Sequence, residues 1–247
     1  MITAPAAQPF VLFQRSHLVV LALTFVVPLA LAGLVRVLKN PALGRIICGI
    51  FAAAIVLDWV AWYVYQGRIG GLNLGNALLM DLCSWAAIAT IIALTGRRQK
   101  VYELAYFWAL AGTLQGLLRP GIDYDYPDFM FVEFSIFHGG IIAAVVFMTV
   151  GMKMRPYLSS LPRVIAWSLV YMAAAGLTDW LLGVDYGFLR SKPIYPSLFD
   201  LMPAWPWYLP VVMVIGVISM LIFYTPFFVI DLVRGKKCDY QPISLPL

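Results

Sequence analysis

Long apolar stretches, broken by short polar links, run through this chain from one end to the other. A helix that crosses the hydrocarbon of a bilayer needs roughly 20 consecutive, mostly apolar residues. Seven stretches come close to that length: 17–35, 46–64, 77–94, 102–118, 129–150, 164–182 and 207–230. The links are rich in Gly, Pro and Asn, the residues of turns. The pattern predicts an all-α fold, a polytopic membrane helix bundle of about seven transmembrane helices. It forms a single integral membrane domain over residues 1–247, with no internal repeat. The fourth stretch is the weakest, being short and flanked by Glu103 and Arg119. The opening MITAPAAQPF has no basic residue, and the apolar run after it is as long as a full span. That reading predicts a retained helix and not a cleaved signal.

The basic residues orient the bundle, because loops on the cytoplasmic side carry an excess of Lys and Arg. The first loop holds Arg36, Lys39 and Arg45, the third Arg97, Arg98 and Lys100, and the fifth Lys153, Arg155 and Arg163. The C-terminal tail adds Arg234, Lys236 and Lys237. The N-terminus and the even loops hold only Arg15, Arg68, Arg119, Arg190 and Lys192. An odd number of spans with the N-terminus outside and the C-terminus cytoplasmic satisfies every loop. The acidic GIDYDYPD loop then lies outside, and Trp62, Tyr63, Tyr65 and the WPWY run at 205–208 stand where interfacial aromatic belts belong.

Composition agrees with lipid as the main solvent. The chain is 62% hydrophobic and 12% charged, against roughly a quarter charged in a soluble domain. The formal charge of +5 is spread in short clusters and forms no stripe that could track phosphates. Nucleic acid is therefore not expected as a partner; membrane lipids are. The expected location is the bacterial cytoplasmic (inner) membrane. Cys48, Cys83 and Cys238 stand at unrelated spacings, neither a disulfide framework nor a metal motif. No cofactor and no metal is expected. Cys48 and Cys238 read as residues of the cytoplasmic edge, inert or at most acylated, and His17 as an inert residue of the outer edge.

An ionisable side chain within a span costs roughly 2.5–3.5 kcal/mol on insertion scales, so each one needs a reason. Asp58, Asp81, Glu133, His138 and Asp179 meet that description. In the orientation above, all lie in the outer half of the membrane or near its midplane, which predicts one polar cavity opening outward. Helical rise places Asp58, Cys83 and His138 at similar depth, roughly 9–14 Å below the outer apolar edge. Ser135 shares the face of His138, one turn further out. A thiol becomes a nucleophile when an imidazole takes its proton, and a third polar group can hold the imidazole. Cys83, His138 and Asp58 are the candidates for those roles. The plainer reading of the same residues is packing for Cys83 and interhelical hydrogen bonding for His138, Asp58 and Asp179. Several sharper classes fail on inventory: no span holds a Schiff-base lysine, two histidines are too few for a three-histidine zinc site, and no GxSxG elbow occurs.

The stretch MDLCSWAAIATIIALTGRRQKVYELAYFWALAGTLQGLLRP, then FVEFSIFHGGIIA, TDWLLGVDYGFLRSKP and AWPWYLP, resembles the YwaF-like family of seven-span membrane proteins. The similarity is strongest over residues 75–225. It implies kinship with an animal cysteine-dependent acyltransferase of ether phospholipids, and more distantly with Thr/His lipid-ester hydrolases. The nucleophilic Cys of that family falls on Cys83 in DLCSW, and its His on His138 in FHGG. Where members often show Asn-Tyr, this chain has Asp185-Tyr186. Asp185, Lys192 and WPWY are expected to shape the site, with Ser135, Glu133 and Asp179 as further candidates. The leading expectation is a membrane lipid acyltransferase or lipid-ester hydrolase, with Cys83 as nucleophile and His138 as base. The alternative is a non-enzymatic transporter or lipid-binding assembly protein that uses the same cavity.

Overall fold

The structure, a computed structural model, describes residues 8–233. It is all-helical. In chain order the helices are α1 (Arg15–Leu38), α2 (Pro41–Ile69), α3 (Leu82–Gly96), α4 (Gln99–Trp108), α5 (Leu114–Leu118), α6 (Phe129–Val150), α7 (Ser160–Leu182) and α8 (Tyr208–Val233). A π-helical segment, Ala109–Thr113, joins α4 to α5 into one continuous rod. Seven rods result, of which α1, α2, α6, α7 and α8 are each long and apolar enough to cross a membrane. Cys238 and the basic residues Arg234, Lys236 and Lys237 lie outside the described residues.

Local chemistry sets the ends. Asn40 caps α2, accepting from the amides of Ala42 (2.9 Å) and Leu43 (3.2 Å), with Pro41 in the first helical position. Asp128 caps α6 through the Met130 amide at 2.9 Å. Gly70 and Gly183 close α2 and α7 with φ of 69° and 68°, a left-handed turn that a Cβ would oppose.

The rod α4–π–α5 is the centre of the bundle, touching α3, α6, α7 and α8. Tyr102, Ala105, Phe107, Trp108 and Ala109 are buried along it. Helices pack against it on several sides, so it carries polar groups that a lipid-facing helix would not. Glu103, wholly buried, pairs with Arg163 of α7 and accepts from Gln99 at 3.0 Å. Trp108 donates to Ser168 of α7 at 2.9 Å, and Tyr106 to the Phe223 carbonyl of α8 at 2.9 Å. Small residues let neighbours close in: Ala86, Ala89 and Ala93 of α3 are buried in the core beside α4. A Cβ on Gly139 of α6 would stand 2.9 Å from the Thr24 hydroxyl oxygen of α1.

Three expectations need correction. The third helix starts at Leu82 and not at position 77, because Asp81 takes the N-cap: its carboxylate accepts from the Ser84 amide (2.8 Å) and hydroxyl (2.6 Å). Asp81 is therefore a capping residue and not a charge within a helix. Cys48 is buried against the core at 2% exposure, so no acyl group is attached there without opening the bundle. His17 is buried as well, and links the Phe13 amide (3.1 Å) to the Leu117 carbonyl (2.9 Å). It ties the start of α1 to the end of α5.

Candidate active site

The two ends of the central rod can be levelled against α6. At one end the Tyr102 hydroxyl meets the Thr149 hydroxyl at 2.8 Å. At the other, a Cβ on Gly116 would stand 3.3 Å from Cδ2 and 3.5 Å from Nε2 of His138. From there α5 runs only two residues further, to Leu118, while α6 continues nine residues out to Phe129. At a rise of about 1.5 Å per residue, α6 overtops α5 by roughly 10 Å. The third helix is short too, at 15 residues. The central rod and α3 thus both give way to loop below the top of α6 at this end, and that step is the candidate recess.

Cys83 is the second residue of α3, at the mouth of this recess and partly exposed. The helix starts late because residues 71–81 form turns held by Asn73 and Asn76: the Gly75 amide donates to Asn73 (2.8 Å), the Asn73 amide to Asn76 (2.9 Å). Asp81 takes the Ser84 amide, the Leu82 amide is directed at the Tyr171 hydroxyl of α7, and the Cys83 amide finds no acceptor among the described residues. The Cys83 amide remains free at a helix N-terminus, where the dipole favours negative charge. Leu82 packs onto the π segment, with its Cδ2 where a Cβ on Gly112 would be only 2.9 Å away. Thr113, next in that segment, brings its hydroxyl toward the Cys83 sulfur without closing a sound hydrogen bond.

His138 is partly exposed, on the opposite wall. Its ring lies flat on Phe134, centroids 3.8 Å apart, with Phe137 edge-on at 5.3 Å. Nδ1 sits 3.1 Å from the Phe134 carbonyl, an acceptor only, so Nδ1 carries the proton in the neutral ring. That tautomer leaves Nε2 as a free base, on the side of Gly116. Thr113 and Gly116 are one turn apart on the same rod. Cys83 touches the first and His138 the second.

The remaining candidates divide into separate groups. Asp58 of α2 and Glu133 of α6 are buried neighbours coupled by charge, and one Asp58 oxygen has no hydrogen-bond partner among the described residues. The imidazole is held by the Phe134 carbonyl and not by Asp58. Asp179 accepts from the Tyr186 amide at 2.7 Å and fixes the turn after α7. Asp185 accepts from the amides of Arg190 and Ser191, both at 2.9 Å, and Lys192 donates to the Met202 carbonyl at 2.8 Å. These three organise the loop of residues 183–207. Ser135 is half-buried on α6. Asp81 lies within electrostatic reach of both Cys83 and His138, while Asp58 and Glu133 form a pair of their own.

The aromatic residues of these loops matter more. Tyr186 is buried; its hydroxyl donates to the Leu74 carbonyl (2.6 Å) and accepts from the Leu78 amide (2.9 Å). It pins the loop leading to Cys83 under the loop after α7. Trp205 and Tyr208 of WPWY hold that second loop through the carbonyls of Leu189 (2.9 Å) and Phe188 (2.6 Å). The small-residue run Gly112-Thr113 and Gly116 in span four was the one available signal of the recess floor.

The TMEM164 family is matched over residues 12–224. The chain belongs to that family. It is a family of membrane proteins, and with the apolar helices above it makes this chain an integral membrane protein. The match reaches through α1 and α2, well before the stretch that carries the YwaF-like resemblance, and it does not carry that label. No curated protein and no solved structure matches the chain. Among the described residues no group of three or more His, Cys, Asp and Glu side chains could hold a metal ion.

Proposed function

We propose that this TMEM164 family member transfers or hydrolyses acyl groups of membrane lipids, with Cys83 as nucleophile and His138 as general base. The observation that carries the reading is the convergence of Cys83 and His138 on Thr113 and Gly116, one turn apart on the central rod. In this reading Nε2 takes the thiol proton, and the thiolate attacks a lipid ester carbonyl. The carbonyl oxygen becomes an oxyanion, which the free amide of Cys83 can receive. Collapse breaks the C–O bond, and the lysolipid alkoxide leaves with the proton from the imidazolium. The thioester on Cys83 is then attacked by the hydroxyl of an acceptor lipid, or by water, deprotonated by the same Nε2. The acyl group leaves and the thiol is restored.

Cys83 at the head of α3 supports the reading in a second way. Ester carbonyls lie near the edge of the hydrocarbon, and a nucleophile at a helix start needs a lipid to move less than one buried six residues down a span. The rival is a lipid-binding or transport protein that uses the recess without chemistry. One experiment separates them. A lipid-like electrophile should label Cys83 much faster than Cys48 or Cys238, His138→Ala should suppress the labelling, and Cys83→Ser should abolish acyl transfer. A fully active Cys83→Ser variant, together with labelling indifferent to His138, overturns the proposal in favour of the binder.

A further inference from the structure

The far end of the bundle carries a second recess, at the level of the Tyr102–Thr149 contact and away from Cys83. Its volume is about 410 Å³, within the range of small-molecule sites. The end of α1 gives Arg36, the end of α6 gives Thr149, the following loop gives Lys153, Met154 and Arg155, and α8 gives Phe227 and Ile230.

The charges in it are unequal in availability. Arg155 is committed: it forms a two-pronged pair with Asp231 of α8, at 2.7 and 2.5 Å, and lies over the rings of Tyr157 and Phe227. Asp231 neutralises it and holds it in place, and burial of that carboxylate is matched by the guanidinium. Thr149 is also committed, donating to the Val145 carbonyl at 2.7 Å. Arg36 and Lys153 are different. Both are exposed, and neither has an ion pair or hydrogen bond among the described residues. Two cations unpaired among the described residues therefore face one recess, and Asp231, next to its lining, is already used by Arg155.

The wall opposite the cations is apolar. Phe227 and Ile230 belong to α8, whose exposed Phe228, Val229 and Ile230 face outward from the bundle into lipid. A free anion in water gains nothing from such a wall. A molecule with a phosphate at one end and acyl chains at the other matches both halves: the phosphate between Arg36 and Lys153, the chains along α8. We propose that this recess is a binding site for an anionic phospholipid, held by Arg36 and Lys153 through its phosphate and by Phe227 and Ile230 through its chains.

The test uses the full chain, purified in a neutral detergent. Native mass spectrometry and thermal unfolding are read with added phosphatidylglycerol, phosphatidylcholine or inorganic phosphate. Wild type should bind phosphatidylglycerol and be stabilised by it, with little effect from the other two. The variant Arg36→Gln/Lys153→Gln should bind it roughly thirty-fold more weakly, from about five-fold per basic residue at a membrane surface. Arg45→Gln/Lys100→Gln removes the same charges from the same end but outside the recess, and should bind as wild type does. Equal binding by wild type and the Arg36/Lys153 variant overturns the site. Equal weakening by the Arg45/Lys100 variant overturns it as well, showing diffuse surface charge. Equal stabilisation by inorganic phosphate or phosphatidylcholine overturns the lipid assignment, and this arm needs no variant to fold.

Discussion

Gly116→Ala is a sharp test of the recess, because it adds one methyl group between the central rod and His138. The new carbon would lie 3.3 Å from Cδ2 and 3.5 Å from Nε2. The same carbon would lie 4.0 Å from Phe134 Cζ, so it meets the edge of the stacked Phe134–His138 pair, and the 3.8 Å stack with the Phe134 carbonyl on Nδ1 holds the ring there. Two effects on stability oppose each other. Alanine favours the helix by roughly 0.5–1 kcal/mol over glycine, and the close contact costs about 1 kcal/mol through overpacking. The melting temperature in detergent should therefore stay within about 3 °C of wild type. Function should not stay. A methyl over Nε2 blocks the path of the thiol proton, and loss of a general base removes at least about 10²-fold in rate, or roughly 2.7 kcal/mol. Labelling of Cys83 by a lipid-like electrophile, followed by mass spectrometry, reads this directly. His138→Ala and the double variant Gly116→Ala/His138→Ala should then label equally slowly, because both act on one step. Wild-type labelling in Gly116→Ala, beside slow labelling in His138→Ala, would refute the idea that Nε2 works across the face of Gly116.

Arg163→Met should destabilise the bundle by about 3–5 kcal/mol, because it strands the wholly buried Glu103 carboxylate in the central rod. Adding Glu103→Gln should recover most of that loss in thermal unfolding, and no recovery would mean that Arg163 acts through packing. A reporter fused at the C-terminus should behave as cytoplasmic, and one inserted in the GIDYDYPD loop as exported; the reverse result overturns the orientation read from the loop charges.

Hydropathy made most of this fold legible. The sixth helix runs over Phe129–Val150, the stretch that the apolar run predicts, with Asp128 capping its start. Failures fall where burial in protein replaces burial in lipid. The central rod reads as the weakest span because it is short and flanked by Glu103 and Arg119, yet Glu103 and Tyr102 are among its most constrained residues. Residues 77–80 are as apolar as a helix but form loop, since hydropathy cannot register that Asn73, Asn76 and Asp81 have taken the backbone for turns and a cap. Depth counted along a straight helix then buries Cys83 too far. His138 and Cys83 were visible as residue types, but Gly116, Thr113 and the Phe134 carbonyl act through position alone. Asp58 was the natural partner for an imidazole by depth, and a backbone carbonyl four residues away took that place.

The late start of α3 also bears on how such chemistry could work inside a membrane. A spanning helix satisfies its own amides, so a cysteine in mid-helix has no free donor near it for an oxyanion. Free backbone amides at membrane depth are tolerated only where protein or a polar cavity covers them. Here the cover is built from loops: Tyr186 pins residues 74–78, and Trp205 and Tyr208 hold the segment above. The π segment has a matching role on the floor, since its extra residue per turn lets Gly112 admit Leu82 and turns Thr113 toward Cys83. A π segment and a truncated helix each give up regular packing, and they do so against each other, at the one cysteine of the described residues that is not sealed in the core. Such irregularity is costly in a membrane helix bundle. Its concentration around Cys83 is the reason to test that residue first.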